Sequence, residues 1–258
     1  MLRFRNLGSG SSGNATLVEA RSNGSVSRLL IDCGLGIRQL DERMARAGLA
    51  LSDIDAIFIT HEHSDHIGCA RQLALRHRIP VWMSCGTHAG ARDPDFSDLL
   101  RIARDGVDIA LGELCVTPFT VPHDAREPLQ LRCTDGNARL GILTDLGHAT
   151  AHVLAHLSGC DALLLECNHD PQLLEDSPYP VFLKRRVGGT HGHLSNDRSA
   201  AIASALNHPG LSTVVAAHLS RENNRPDLAR AALADALGWS PATIGVADPV
   251  SGTDWLSV

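Results

Sequence analysis

Five short apolar runs in this sequence lead straight into a strongly polar side chain. AIFIT (56–60) runs into His61, LCVTPFTV (114–121) passes through Pro122 into His123, LGILT runs into Asp145, ALLL into Glu166, and TVVAA (213–217) into His218. Continuous apolar runs of this length read as strands buried on both faces. A buried strand has no structural need for a charged group at its end. Five such ends therefore predict strand termini that converge on one site, with functional side chains carried on loops along a sheet edge.

Helix-like stretches fall between many of the runs, at 37–47, 68–77, 149–158, 195–207 and 226–237, and a further run, RLLID, occupies 28–32. Ser195 is placed to cap the fourth stretch and Pro226 sits in the first turn of the fifth. Helices must then cover a central sheet system, which predicts an α/β fold with layered sheets, and 258 residues suit a single domain spanning 1–258. The stretch GSGSSGN (8–14) lies between two strand-like runs, LRFRNL and NATLVEA, and reads as a native turn; a glycine-rich phosphate cradle is the sharper alternative, although no GK[ST] follows.

Composition narrows the function. No run approaches the ~20 apolar residues of a membrane span, and the first residues contain no apolar segment of the signal-peptide kind. Seven scattered cysteines without a CxxC predict reduced thiols in a cytoplasmic protein. The net charge of −6 argues against a surface that coats nucleic acid, but not against a local phosphate site centred on cations.

The densest polar cluster is ITHEHSDHIG (59–68), which gathers His61, His63, Asp65 and His66 within six positions. His61 and His63 point the same way from an extended segment, while Asp65 and His66 reach a second point beside it. Such spacing favours two adjacent metal ions, each needing roughly three to five ligands. His123, Asp145 and His218 match what remains to be supplied from elsewhere. Mixed His and Asp donors suit Zn²⁺ or Mn²⁺.

THEHSDH, followed in order by VPHD, LTDLG and AAHLS, resembles the metallo-β-lactamase superfamily. The resemblance implies an αββα sandwich of two mixed sheets flanked by helices, with a dinuclear site between the sheets. It implies further that His61, His63 and His123 hold one ion, that Asp65, His66 and His218 hold the other, and that Asp145 bridges them. Two ions roughly 3.5–4 Å apart generate a hydroxide near neutral pH and neutralise charge on a substrate oxygen. That chemistry serves phosphodiesters, thioesters and lactams alike, so the surroundings must decide between them.

The segment LLLECNHDPQLLEDSPYPVFLKRRVGGTHGHLSNDRSA (163–201) resembles the YycJ/WalJ-type subfamily, as do SGSSGN early and HLSRENN late. The resemblance implies a DNA exonuclease acting 5′ to 3′ and a functional link to a two-component system. Lys184, Arg185 and Arg186 place three cations together, as phosphate handling requires, against the plainer reading of a solvated basic turn. Ser195 and Asn196 open a helix, where free N–H groups favour an anion, and a simple helix cap explains Ser195 equally well. His193 resembles the phosphate-loop histidine of tRNase Z-type nucleases, with Glu166 as the accompanying glutamate. A carboxylate beside an imidazole keeps it protonated, so His193 is expected to act as general acid or phosphate clamp, outside the metal ligands.

Asp65, Glu166 and His193 are thus the candidate catalytic residues, and His169, Lys184, Arg185, Arg186, Ser195 and Asn196 the candidate phosphate-binding ones. Arg221 and Asn223 are weaker candidates for substrate contact; His88 and His148 are further histidines that could approach the pocket. His191 reads as exposed, and His77, His152, His156 and His208 as surface residues. The expected reaction is attack of a metal-bridging hydroxide on phosphorus. Rival readings are a small-molecule hydrolase acting on a cyclic phosphodiester, thioester or lactone, and a regulatory docking protein. The absence of a GHTxG-like stretch around His123 and the presence of KRR speak against thioesters, and the intact ligand set speaks against a docking protein.

Overall fold

A computed structural model describes residues 1–258. Its strands, in chain order, are β1 (Leu2–Gly8), β2 (Ala15–Ser22), β3 (Ser25–Ile31), β4 (Ala56–Phe58), β5 (Val81–Met83), β6 (Leu100–Ile102), β7 (Ile109–Leu111), β8 (Leu114–Thr120), β9 (Leu129–Thr134), β10 (Arg139–Leu143), β11 (Ala162–Glu166), β12 (Thr213–Ala217), β13 (Gly245–Val246) and β14 (Leu256–Ser257). They form two seven-stranded sheets, ordered β14-β1-β2-β3-β4-β5-β6 and β13-β12-β11-β10-β9-β8-β7. The first part of the chain builds one sheet and the second part the other, apart from β14, which returns to pair with β1. Both sheets are mixed: β3, β4, β5 and β6 run parallel, as do β10, β11, β12 and β13, while the hairpin strands are antiparallel.

The helices are α1 (Ile37–Arg46), α2 (Ser64–Ile67), α3 (Ala70–His77), α4 (Cys85–Gly90), α5 (Ala151–Leu157), α6 (Pro171–Asp176), α7 (Val181–Val187), α8 (Asn196–Leu206) and α9 (Pro226–Leu237). The Ser195 hydroxyl accepts from the Arg198 N–H, and Pro226 occupies the first turn of α9, as the sequence predicts.

Side chains alternate across a strand, and here both faces are apolar. In β11, Ala162 and Leu164 join a cluster of 22 buried residues shared between the sheets, which also holds Phe4, Val18, Leu29, Phe58, Val116, Leu131 and Val215. Leu163 and Leu165 turn the other way and pack under α5, α8 and α9. The outer face of the first sheet is likewise covered by α1 and α3 through Leu17, Leu30, Ile57, Leu40, Met44 and Leu73. The layers are therefore helix, sheet, sheet, helix. Truncating a central residue such as Leu164 to Ala would cost about 2–5 kcal/mol.

Candidate active site

The parallel strands β4, β10, β11 and β12 all deliver polar residues at their C-terminal ends, where open α/β sheets bind ligands. β4 runs through Ile59 and Thr60 to His61, β10 leads through Thr144 to Asp145, β11 ends on Glu166, and β12 leads to His218. Asp145 and His218 leave their strands at φ 55°, and Asp32, which follows β3, at φ 63°. Non-glycine residues rarely occupy that left-handed region, and its cost is borne at functional positions.

Two groups of donor atoms face one another. One ring nitrogen from each of His61, His63 and His123 lies within 4.8 Å of the others, and so do a carboxylate oxygen of Asp65 and one ring nitrogen each of His66 and His218. His61 Nε2 and His63 Nδ1 are 3.0 Å apart, and His123 Nε2 is 3.4 Å from the same Nδ1. Asp145 stands between the groups, with Oδ2 3.2 Å from His66 Nε2 and Oδ1 3.4 Å from His218 Nε2. Neither of those approaches has hydrogen-bond geometry at Asp145 Oδ2 or His218 Nε2, and both atoms are buried without a hydrogen-bond partner. Buried polar atoms left unpaired are costly, and imidazole and carboxylate donors aimed at common points are what divalent cations require. The residues fit the metal that the donor pattern implies.

The electrostatics divide the imidazoles into two kinds. Burial pushes the His61 pKa well below its ordinary value and lowers that of His123, so both are neutral donors. Burial also opposes charge on His66 and His218, but neighbouring carboxylates outweigh it. Asp145 and Asp32 raise His66, and Asp145, Asp65 and Glu166 raise His218 to about 10. Asp145 itself is held well below the carboxylate range: burial resists its ionisation, and His218 and His66 more than compensate.

Orienting partners surround the donors. The Asp32 carboxylate accepts from the Thr60 N–H at 2.9 Å and lies 2.8 Å from His66 Nδ1, which fixes that ring and leaves Nε2 toward Asp145. Asn168 Nδ2 is 3.3 Å from His218 Nδ1, and the Gly192 carbonyl is 3.2 Å from His123 Nδ1. Gly192 is required for close packing, since a Cβ there would stand 2.1 Å from the Arg186 carbonyl oxygen. The signal for Asp32 in the sequence is that RLLID ends on it just as the other apolar runs end on their polar residues.

His193 stands beside the metal donors, grouped with Asp145, Glu166 and His218 within 4.8 Å, but its Nδ1 is taken up by a carboxylate. Its Nδ1 lies 2.7 Å from Glu166 Oε1 and 3.5 Å from Asp145 Oδ1. Burial works against its charge, but Glu166 and Asp145 raise its pKa. Glu166 is fully buried, and its other oxygen accepts from the Leu146 and Leu194 N–H groups, at 3.1 and 3.3 Å. Glu166 does not reach the cavity; it acts through His193 and is a positioning residue.

The cavity over the donors has a volume of about 300 Å³ and is walled by Ser11, Asp65, Asp124, Arg186 and His193 among others. Of the three adjacent cations, only Arg186 faces it, paired with Asp124 at 2.7 Å. Lys184 hooks onto the Glu175 carbonyl instead, and Arg185 is exposed on α7 outside the cavity. The remaining phosphate-binding candidates lie elsewhere. His169 is buried, with a pKa that burial lowers to about 4, Ser195 serves as the α8 cap, and the Asn196 amide pairs with Asn224 at 2.9 Å. Their place is in the packing behind the cavity. His148 turns to the Thr190 carbonyl and His88 to the Pro94 carbonyl, while His191 is exposed as expected.

Comparison with known proteins agrees with this geometry. A family described as "Beta-lactamase superfamily domain" matches residues 27–219. Exodeoxyribonuclease YycJ of Bacillus anthracis is 31% identical over 98% of this chain and 96% of its own. Exodeoxyribonuclease WalJ of Streptococcus pneumoniae is 30% identical over 95% of this chain and 91% of its own. The chain belongs to the metallo-β-lactamase superfamily, in its YycJ/WalJ-type group. The metallo-β-lactamase fold protein YhfI from Bacillus subtilis superimposes with a TM-score of 0.76 at 17% identity, covering 100% of both chains, which shows the shared fold.

As a metallo-β-lactamase superfamily member with its donor clusters in place, the chain is a metal-dependent hydrolase that binds divalent metal. No helix is long and apolar enough to cross a membrane.

Proposed function

We propose that this protein is a dinuclear phosphodiesterase that degrades DNA from an end, in the 5′ to 3′ direction, in the cytoplasm. The observation that carries the reading is the Glu166–His193 pair at the cavity wall, 2.7 Å apart and beside Asp145. It is a proton donor held next to the donor clusters, on an imidazole they do not need. The names of the two full-length relatives support DNA as substrate.

His61, His63 and His123 would hold one ion, Asp65, His66 and His218 the other, and Asp145 both; Zn²⁺ and Mn²⁺ each suit these donors. When bound, the ions supply Lewis acidity and a water acidified to near-neutral pKa. The protein's own residues do the rest. Arg186 faces a non-bridging phosphate oxygen and can form charge-assisted hydrogen bonds with it. His193, kept protonated by Glu166, donates its proton to the departing alkoxide. Glu166 holds the imidazole by Nδ1 so that Nε2 carries the proton toward substrate.

End-labelled single- and double-stranded DNA, incubated with protein loaded with Zn²⁺ or Mn²⁺, tests the reading. Stepwise shortening is expected from wild type and not from His61→Ala. His193→Ala is expected to keep its metal and lose activity by about 10²–10⁴-fold. A metal-loaded wild type that leaves every DNA end intact would sink the exonuclease, and metal lost from His193→Ala would sink the assigned role of that residue.

A further inference from the structure

A second cavity of about 290 Å³ opens beside the catalytic one, lined by Ser9, Ser11, Ser12, Tyr179, Arg221 and Glu222 among others. Ser11 lines both cavities, and the 179–187 segment also walls both, with Tyr179 in one and Leu183, Arg186 and Val187 in the other. The two form one trough.

The walls of the second cavity are fastened to the donor clusters. The Asn14 N–H donates to the Asp65 carbonyl at 2.8 Å, and the His218 N–H donates to Ser9 Oγ at 2.7 Å. The loop 8–14 and the turn after His218 therefore keep fixed positions relative to the catalytic cavity. Ser11 and Ser12 form the exposed tip of that loop, and neither of their backbone N–H groups is engaged within the protein. Arg221 reaches over the same tip, its Nη2 3.4 Å from Ser12 Oγ. Arg186 is held by Asp124, whereas Arg221 makes no ion pair. Two N–H groups without a partner in the protein, serine hydroxyls and an unpaired guanidinium thus belong to residues of one cavity lining, and they are the donor types that bind phosphate. Glu222 is the one acidic side chain in the lining, and the Tyr179 ring offers a flat face for a sugar or base.

We infer that this trough holds a second phosphate of the same DNA strand, not the one being cleaved, against Ser11, Ser12 and Arg221. The inference rests on the phosphodiesterase reading and adds to it a specificity site. In a chain of net charge −6, attraction for a polyanion must be local, and this is where an uncommitted cation meets free N–H donors. The bound group is either a flanking phosphodiester or a terminal 5′-phosphate, which share one chemistry.

The test compares a short single-stranded oligonucleotide with bis(p-nitrophenyl) phosphate, which offers one phosphate only, using metal-loaded wild type, Arg221→Ala and Arg221→Lys. The ratio of kcat/KM on the oligonucleotide to that on the small ester should fall about tenfold in Arg221→Ala and recover in part in Arg221→Lys. By fluorescence anisotropy, the slope of log affinity against log salt should become shallower by about 0.7. Wild type should lose the same factor when this second phosphate is removed, either by a neutral methylphosphonate at the flanking linkage or by a 5′-hydroxyl end, and the modification that matters identifies the source. Arg221→Ala should lose nothing further with that substrate. Cleavage of the oligonucleotide with an unchanged ratio and an unchanged salt slope overturns the second-phosphate site alone. Cleavage of neither substrate overturns the phosphodiesterase reading with it.

Discussion

Two buried carboxylates in this protein are surrounded by cations, and they differ in the kind. Glu19, in β2, has no solvent exposure and receives Arg3 and Arg28 from the neighbouring strands, at 2.7 Å each, and Arg21 from its own, at 2.5 Å. Burial resists its ionisation, but the three guanidinium groups outweigh that and lower its pKa to about 2. Asp145 is as deeply buried, yet its neighbours are imidazoles, its backbone is left-handed, and one of its oxygens has no hydrogen-bond partner. Arginine cannot surrender its charge and offers no lone pair, so the Glu19 cluster is complete within the protein. Imidazole can exchange a proton for a metal. Charge buried among arginines makes structure, and charge buried among histidines makes a site.

The contrast can be broken most decisively at Asp145. Asp145→Asn preserves shape and tolerates the backbone conformation, and it should reduce hydrolysis by at least about 10³-fold. Elemental analysis should show fewer bound ions, and the urea midpoint of the metal-free protein should fall too, because His66 and His218 lose their main carboxylate partner. Asp32→Asn acts one shell further out. It should weaken metal affinity by about 10–100-fold, read by competition with a chelating dye. At Glu19 only stability should respond. Glu19→Gln should leave kcat and metal content as they are and reduce stability by about 2 kcal/mol, discounted because the arginines are partly exposed.

The same residue sharpens the comparison through pH. The folded-state pKa of Glu19 is depressed from 4.5 to about 2. Its contribution to stability is therefore present above pH 4.5 and lost as pH falls toward 2. Urea midpoints of metal-free wild type and Glu19→Gln should converge across that window. Parallel curves there would show that the arginine cluster does not stabilise the fold.

The sequence made the donor set legible because each ligand follows a strand whose apolar run is visible, and strand direction then places the ligand. His61, His123, Asp145 and His218 were all readable in that way. The wall of the cavity was not. Lys184, Arg185 and Arg186 are adjacent in sequence, but on a helix successive side chains turn by about 100°, so only one of the three faces the cavity. Ser195 is readable as a cap, and its hydroxyl accepts from the Arg198 N–H in the packing behind the cavity. Short elements such as β5, β6, β13 and α7 escaped because so few residues carry no clear period. The Ser11–Ser12 tip reads as a turn, while its neighbour Arg221 lies 209 positions from Ser12 and only the fold brings them together.

The crossing of β14 back to β1 has a consequence for the order of events on the ribosome. Donors emerge in the order His61, His63, Asp65, His66, His123, Asp145, His218, so the three-histidine half is complete at His123, long before its partner is completed by His218. The outer edge of β1 stays open until Leu256 and Ser257 arrive to pair with Phe4 and Arg3. An unpaired strand edge invites association with other chains. The nascent protein therefore carries this open edge until residues 256 and 257 are made, and deleting that pair should harm solubility more than it harms the donor set.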